Sequence, residues 1–232
     1  MRSLTLLLLG TPVLMIGQQS APVAELVQQF KTSRVFWQQF EVAEKLAKSH
    51  DRAVLAQLET YLKDEDRHVR GNAAFVFAAL GDDQGIRVIA SILKDRSDRP
   101  EGQGIPGGNW SVPAQIASDR YYAAHLFGDL KDSRAVPILI PLLRDAEVNS
   151  IVPWSLGQIG EKSAVPPLIQ TLHDASPDMR VLAIYALQAL KAKESLPQLR
   201  LLVNDEDKTD FDGLVTVAEA AKKAVAALQS LP

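Results

Sequence analysis

The side chains best suited to chemistry here are arginines. Arg70, Arg120 and Arg180 recur at one position of a repeated pattern, and an aspartate stands six residues before the first and the last of them, Asp64 and Asp174. A guanidinium grips carboxylates and phosphates with two parallel hydrogen bonds. The set therefore reads either as an anion-binding stripe or as a structural ladder of Arg–Asp pairs tying adjacent loops. Acids close to each arginine and a net charge of −3 favour the ladder. Asn149 takes the same position between Arg120 and Arg180 and would leave a gap in it.

A second group lies in and just after the least repetitive stretch, RSDRPEGQGIPGGNWSVPAQ (96–115). Arg96, Arg99 and Trp110 sit within it, and it leads into Tyr121 and Tyr122. Arginine and aromatic side chains are the usual anchors of binding surfaces, and long loops are often functional, so these five residues form the candidate surface for a partner. The alternative is that Trp110 and Tyr122 pin the loop to the body of the protein, because aromatics bury large areas wherever they land. Gly102, Gly104 and Gly107 have the spacing of a dinucleotide fingerprint. No strand precedes them, and Pro106 and Pro113 flank a loop rather than the helix start that would hold a pyrophosphate.

Metal and covalent chemistry find little support. None of the four histidines, His50, His68, His125 and His173, is followed by glutamate, and no two are four residues apart, so a helical metal pair is excluded. All four read as ordinary surface or interface residues. The loop NDEDKTDFDG (204–213) carries Asp205, Asp207, Asp210 and Asp212, but Asp210 stands where a calcium loop needs glycine; it reads as a solvated acidic turn. There is no cysteine, hence no thiol nucleophile, thiolate metal site or disulfide. No nucleophile elbow, catalytic triad order or phosphate-cradling loop is present. The acidic balance speaks against nucleic acid. No cofactor or metal is expected.

The elements that must position these side chains are helices in a repeat. RAVLAQLETYLKD, QGIRVIASILKD, SRAVPILIPLLRD, KSAVPPLIQTLHD and ESLPQLRLLVND end on Asp64, Asp95, Asp145, Asp174 and Asp205. A period of about 30 residues marks stacked helix pairs. The preceding helix of each pair aligns in three columns: Ala73, Ala123, Val152 and Ala183; Phe77, Phe127, Leu156 and Leu187; Leu80, Leu130, Ile159 and Leu190. Their spacing is one face of a helix. Pro137, Pro166 and Pro197 mark first turns, where a missing N–H costs nothing. Pro153 falls inside the third such helix and predicts a kink. The fold class is thus all-α, an α-solenoid of stacked antiparallel helix pairs. Its units span roughly 33–64, 65–95, 116–145, 146–174 and 175–205, with a terminal cap at 214–232 and the inserted loop at 96–115.

The phrase DRHVRGNAAFVFAALGDDQGIRVIASILKD (66–95) resembles a HEAT repeat of the short kind associated with phycobilisome lyases. The resemblance implies a helical scaffold that binds partners along its faces; a few relatives are enzymes, namely bilin lyases and a di-iron hydroxylase built on paired His-Glu steps. Residues 1–20, with Arg2, an apolar run from Leu4 and a polar end, read as a secretory signal peptide. The expectation is therefore an exported, non-enzymatic interaction scaffold in the cell envelope, periplasmic or secreted, with a protein or peptide partner and no membrane span once the signal is removed. The alternative is an enzyme or accessory subunit of the bilin-lyase or hydroxylase type. An export signal argues against the first, because bilin attachment is cytoplasmic, and the missing His-Glu pairs argue against the second. The face bearing Arg87, Arg144, His173 and Arg200 is the surface along which a partner would run.

Overall fold

The computed structural model describes residues 22–98, 112–211 and 215–232. The predicted signal peptide, Arg99, Trp110 and Asp212 lie outside the described residues. The chain runs as α1 (Val23–Thr32), α2 (Phe36–Lys48), α3 (Val54–Leu58), α4 (Arg67–Ala79), α5 (Asp83–Lys94), α6 (Val112–Leu130), α7 (Val136–Leu139), α8 (Val152–Ile159), α9 (Val165–Thr171), α10 (Pro177–Ala189), α11 (Leu196–Leu201) and α12 (Val217–Gln229). The even-numbered helices from α2 to α12 pack in sequence, each on the next, and the odd-numbered ones pack beside them. Helix α1 packs on α2 and α3. The result is an α-solenoid.

The columns read from the sequence form its interior. Ala73, Ala123, Val152 and Ala183 are fully or almost fully enclosed, as are Phe77, Phe127, Leu156 and Leu187. Small residues in the first column let neighbouring helices approach, and larger ones in the second fill the layer between. Gly85 on α5 lies close against the backbone of α4. A Cβ there would stand 2.3 Å from the Ala74 carbonyl oxygen and 2.3 Å from the Ala78 nitrogen, both backbone atoms of α4. Backbone cannot swing aside as a side chain can, so Gly85→Ala is expected to cost about 3 kcal/mol, at the upper end of overpacking penalties. Urea denaturation measures this, and a loss under about 1 kcal/mol would show that α4 and α5 are free to separate.

Each even-numbered helix from α2 to α10 ends in a left-handed residue: His50, Gly81, Lys131, Gly160 and Lys191 have φ between 52° and 83°. This reverses the chain into the partner helix. A cation from the preceding unit often reaches the freed carbonyls. Arg52 Nη1 donates to the Leu80 oxygen, and Lys162 Nζ to that of Leu190 at 2.6 Å, where positive charge is favoured by the helix dipole.

Three expectations change. Residues 133–145 are not one helix. A 3-10 turn, Ser133–Ala135, leads into α7, and a second, Ile140–Arg144, follows it. Pro141 has no N–H for the carbonyl four residues back, so α-helical bonding cannot continue through it. Pro153 makes no kink, because α8 starts at Val152 and proline occupies its first turn; residues 146–151 form turns instead. Residues 204–211 of the acidic loop are held by specific hydrogen bonds rather than merely solvated. Thr209 is fully buried, its N–H donates to the Val215 oxygen at 3.0 Å, and the Asp210 N–H donates to Asp178 Oδ1 at 2.9 Å.

Candidate functional site

The aspartates that close the odd-numbered helices build the first part of the site. Asp64, Asp95, Asp145, Asp174 and Asp205 each accept, through Oδ1, the N–H two residues on, at 2.9 to 3.2 Å. This Asx-turn ends the helix and turns the chain toward the next unit. It leaves Oδ2 for a cation. Arg120 Nη2 meets Asp145 Oδ2 at 2.5 Å, Arg180 Nε meets Asp205 Oδ2 at 3.1 Å, and Arg70 Nη2 meets Asp95 Oδ2 at 3.5 Å. The same arginines donate to backbone carbonyls of the preceding unit: Arg70 to Asp64 (2.6 Å), Arg120 to Leu93 (2.7 Å) and Arg180 to Asp174 (2.8 Å). Asp64 and Asp174 therefore present a backbone oxygen to the arginine six residues on, while the carboxylates come from the far end of the arginine's own unit.

Arg96 also enters this network, through Asp145 at 3.0 Å and Glu147 at 2.6 Å. Arg120 pairs with Glu147 as well. Hydrogen bonding from Arg120 holds the Asp145 carboxyl below the usual aspartate range against the opposing effect of burial. A depressed folded-state pKa adds stability that is complete above the unfolded value, about 4, and is lost as pH falls through the folded one. Thermal melts of the wild type should show an acid limb below about pH 4 that is shallower in Asp145→Asn. Equal limbs would mean the pair adds no proton-linked stability.

The second part is a buried polar cluster where α2, α4 and α6 meet. Arg67 is 5% exposed and Asp119 1%; Arg67 Nη1 bonds Asp119 Oδ2 at 3.1 Å, its Nε bonds Asp95 Oδ2 at 3.0 Å, and its Nη2 reaches the Ser97 oxygen at 2.6 Å. His68 stacks on Phe36 with ring centroids 4.2 Å apart and lies 3.6 Å from Asp119 Oδ1. Tyr122 donates its hydroxyl to Asn72 Oδ1 at 2.5 Å, and Asn72 Nδ2 donates to the Phe36 oxygen and to Gln39 Oε1. Burial, with the nearby Asp129 charge, raises the Tyr122 pKa far above its ordinary value, so the hydroxyl stays a donor. Trp37, whose ring meets Phe36 edge-on at 5.1 Å, and Tyr121, the chain neighbour of Tyr122, are 49% and 41% exposed. Burial raises the Tyr121 pKa too.

Of the five residues expected at a partner surface, only Tyr121 offers an open aromatic face among the described residues. Arg96 is engaged in the ladder, Tyr122 is tied to Asn72, and Arg99 and Trp110 lie outside the described residues. The histidines divide. His50 and His173 are exposed, His125 stacks on Trp154 at 4.4 Å, and His68 is buried, contrary to the expectation of a surface or interface residue. Phe36 and the Tyr122 ring enclose it. Sequence reasoning missed the cluster because it aligned the repeats on their apolar columns. The signal was present: Asp119 occupies the position held by Val69, Val148 and Met179, and Asn72 and Tyr122 that held by Ile151 and Leu182. Polar residues in an apolar column violate the local rule, and such violations gather at functional sites. Among the described residues no group of three acids or histidines could hold a metal ion.

Comparison with known proteins gives these features a context. A family model described as HEAT repeats matches residues 144–213, and one described as PBS lyase HEAT-like repeat matches residues 119–145. The repeats are HEAT-like. The bilin biosynthesis protein PecE of Mastigocladus laminosus is 30% identical over 141 residues, 60% of this chain and 48% of that protein. The phycocyanobilin lyase subunit alpha of a Picosynechococcus species is 33% identical over 113 residues, 40% of this chain and 42% of that protein. The chain thus spans about half the length of the curated relatives it matches. The solved complex of CpcE and CpcF of phycocyanin lyase from a Nostoc species matches at 18% identity with a TM-score of 0.41, covering 90% of this chain and 83% of that one.

The named relatives overturn the expectation of a non-enzymatic interaction scaffold in the cell envelope, and with it the expectation that the chain is no enzyme. The absence of short motifs speaks only against chemistry that such motifs carry. A site assembled from side chains on separate helices, as Phe36, His68 and Tyr122 are here, leaves no contiguous signature.

Proposed function

We propose that the chain is a subunit of a bilin lyase assembly and that the face formed by α2, α4 and α6 receives the bilin. The 30% identity to a bilin biosynthesis protein over 60% of the chain carries this reading. The geometry supports it. A bilin is an open-chain tetrapyrrole with a flat conjugated system, pyrrole N–H donors and propionate carboxylates. Trp37 and Tyr121 offer aromatic faces for stacking. A cleft of about 240 Å³ lined by Phe36, against which the Trp37 ring packs, also carries Lys31 and Arg34 as cations for propionates. The enclosed Arg67–Asp119 pair and the Tyr122–Asn72 bond fix the helices beneath, so that these surfaces are preorganised. These 232 residues contain no cysteine; the chain has no thiol to bond the chromophore and holds it non-covalently for transfer to an acceptor protein. The partners of such an assembly are a second subunit and that acceptor.

Titration of the purified protein with phycocyanobilin, followed by absorption spectroscopy, tests this. A saturable spectral shift is expected, weakened about tenfold in Trp37→Ala or Tyr121→Ala, the equivalent of one lost stacking contact, with helix content unchanged. No spectral change would overturn the reading. The export signal expected at residues 1–20 stands against this reading, because bilin attachment is cytoplasmic; mass spectrometry of the mature N-terminus decides between them, an intact Met1 supporting the lyase subunit and cleavage near residue 20 overturning it.

A further inference from the structure

The arginine ladder is complete at three units and incomplete at two. In the units of Arg70, Arg120 and Arg180 the guanidinium reaches Oδ2 of the closing aspartate and a carbonyl of the preceding unit. In the other two units the same repeat position carries a carboxamide, Gln39 on α2 and Asn149 in the turns before α8. In both of these an open cleft adjoins the aspartate left without its arginine. One, of about 240 Å³, is lined by Gln39 and Asp64; the other, of about 400 Å³, runs between the Ile140–Arg144 turn and α9 and is lined by Leu143, Arg144, Pro167, Gln170, Thr171 and Asp174. Gln39 half-fills its place, because its Nε2 donates to the Phe30 oxygen at 3.1 Å. Asn149 is too short to take either arm of an arginine's role.

This second cleft therefore keeps the counterparts of both acceptors that Arg120 uses in its own unit. Leu143 holds the repeat position of Leu93, whose carbonyl takes Arg120 Nε at 2.7 Å. Asp174 holds the position of Asp145, and its Oδ1 is already committed to the Ser176 N–H at 2.9 Å, as in every other unit. Oδ2 is left facing a cleft whose own cation, Arg144, forms no ion pair with it among the described residues. We propose that this cleft is a socket for the arginine side chain of a partner protein. The guanidinium enters between the Ile140–Arg144 turn and α9, takes Asp174 Oδ2 and the Leu143 carbonyl, and completes the ladder in trans. The exposed Arg144 at the rim calls for an acidic side chain next to that arginine, so the segment recognised is an Arg-acid pair. Lysine does not serve, since an ammonium cannot span two acceptors as a planar fork does. This inference concerns a different face from the bilin site and stands whether or not a bilin binds.

The test uses the full chain and a short probe, the peptide acetyl-Ala-Arg-Glu-Ala-amide, followed by amide chemical shifts in ¹H–¹⁵N spectra. Saturable shifts are expected at Leu143, Thr171 and Asp174. Asp174→Asn should weaken binding about tenfold or more, and Asn149→Arg, which supplies the missing arginine in cis, should abolish it while raising the melting temperature. If Asn149→Arg fails to fold, Asp174→Asn alone decides. Absence of shifts at millimolar peptide, shifts that survive both substitutions, or equal binding of the lysine analogue would each overturn the proposal.

Discussion

Arg67→Met is expected to destabilise the protein by about 3–5 kcal/mol, the cost of breaking a buried ion pair by removing one member. Arg67 and Asp119 are both almost wholly enclosed, and their 3.1 Å contact joins residues of α4 and α6. Methionine fills a similar volume, so the loss reports charge rather than packing. It strips the Asp119 carboxylate of its guanidinium and removes the bonds to Asp95 and Ser97 in the same step. The informative comparison is Arg67→Met/Asp119→Leu. With both charges gone, the desolvation penalty disappears and most of the lost stability should return. Denaturant melts of the two single variants and the double variant form the cycle. If the double variant is as unstable as Arg67→Met, the defect lies in the Asp95 and Ser97 contacts and the pair is not what holds α4 to α6.

Leu156→Ala and Leu187→Ala are each expected to cost about 2–5 kcal/mol. Both side chains are fully enclosed, on α8 and α10, in the column that fills the space between successive layers. Truncation removes transfer energy and leaves a cavity that flanking helices, held by their own neighbours, cannot close. In a solenoid each unit touches only the next, so a weakened layer also lowers cooperativity along the array. Losses below about 0.5 kcal/mol at both positions would mean that the columns are misregistered. A broadened transition in either variant is the accompanying sign.

Much of the helical framework was legible in the sequence, for a physical reason that particular residues show. Ala73, Phe77 and Leu80 recur as Ala183, Leu187 and Leu190 because a repeating layer buries one repeating face. Pro137, Pro166 and Pro197 marked first turns correctly because the rule they obey is local. Pro153 misled because its locality was judged against an expected helix start that the turns at 146–151 replace. The candidate site was less legible. His68 looked ordinary, yet the rings that enclose it come from α2 and α6, and Arg67 finds Asp119 across 52 residues of chain.

The sequence by itself determined the repeat, its period, the buried faces of its helices and the presence of an arginine at three of its units. These depend on neighbours within a helix or in the adjoining unit, and such relations are written in spacing. Only the tertiary structure decided which carboxylate each arginine meets, that Asp64 and Asp174 present their backbone oxygens to the arginines that follow them, and that open clefts adjoin Asp64 and Asp174. Those outcomes turn on whether a side chain spans the distance between two units, and linear order does not encode that distance.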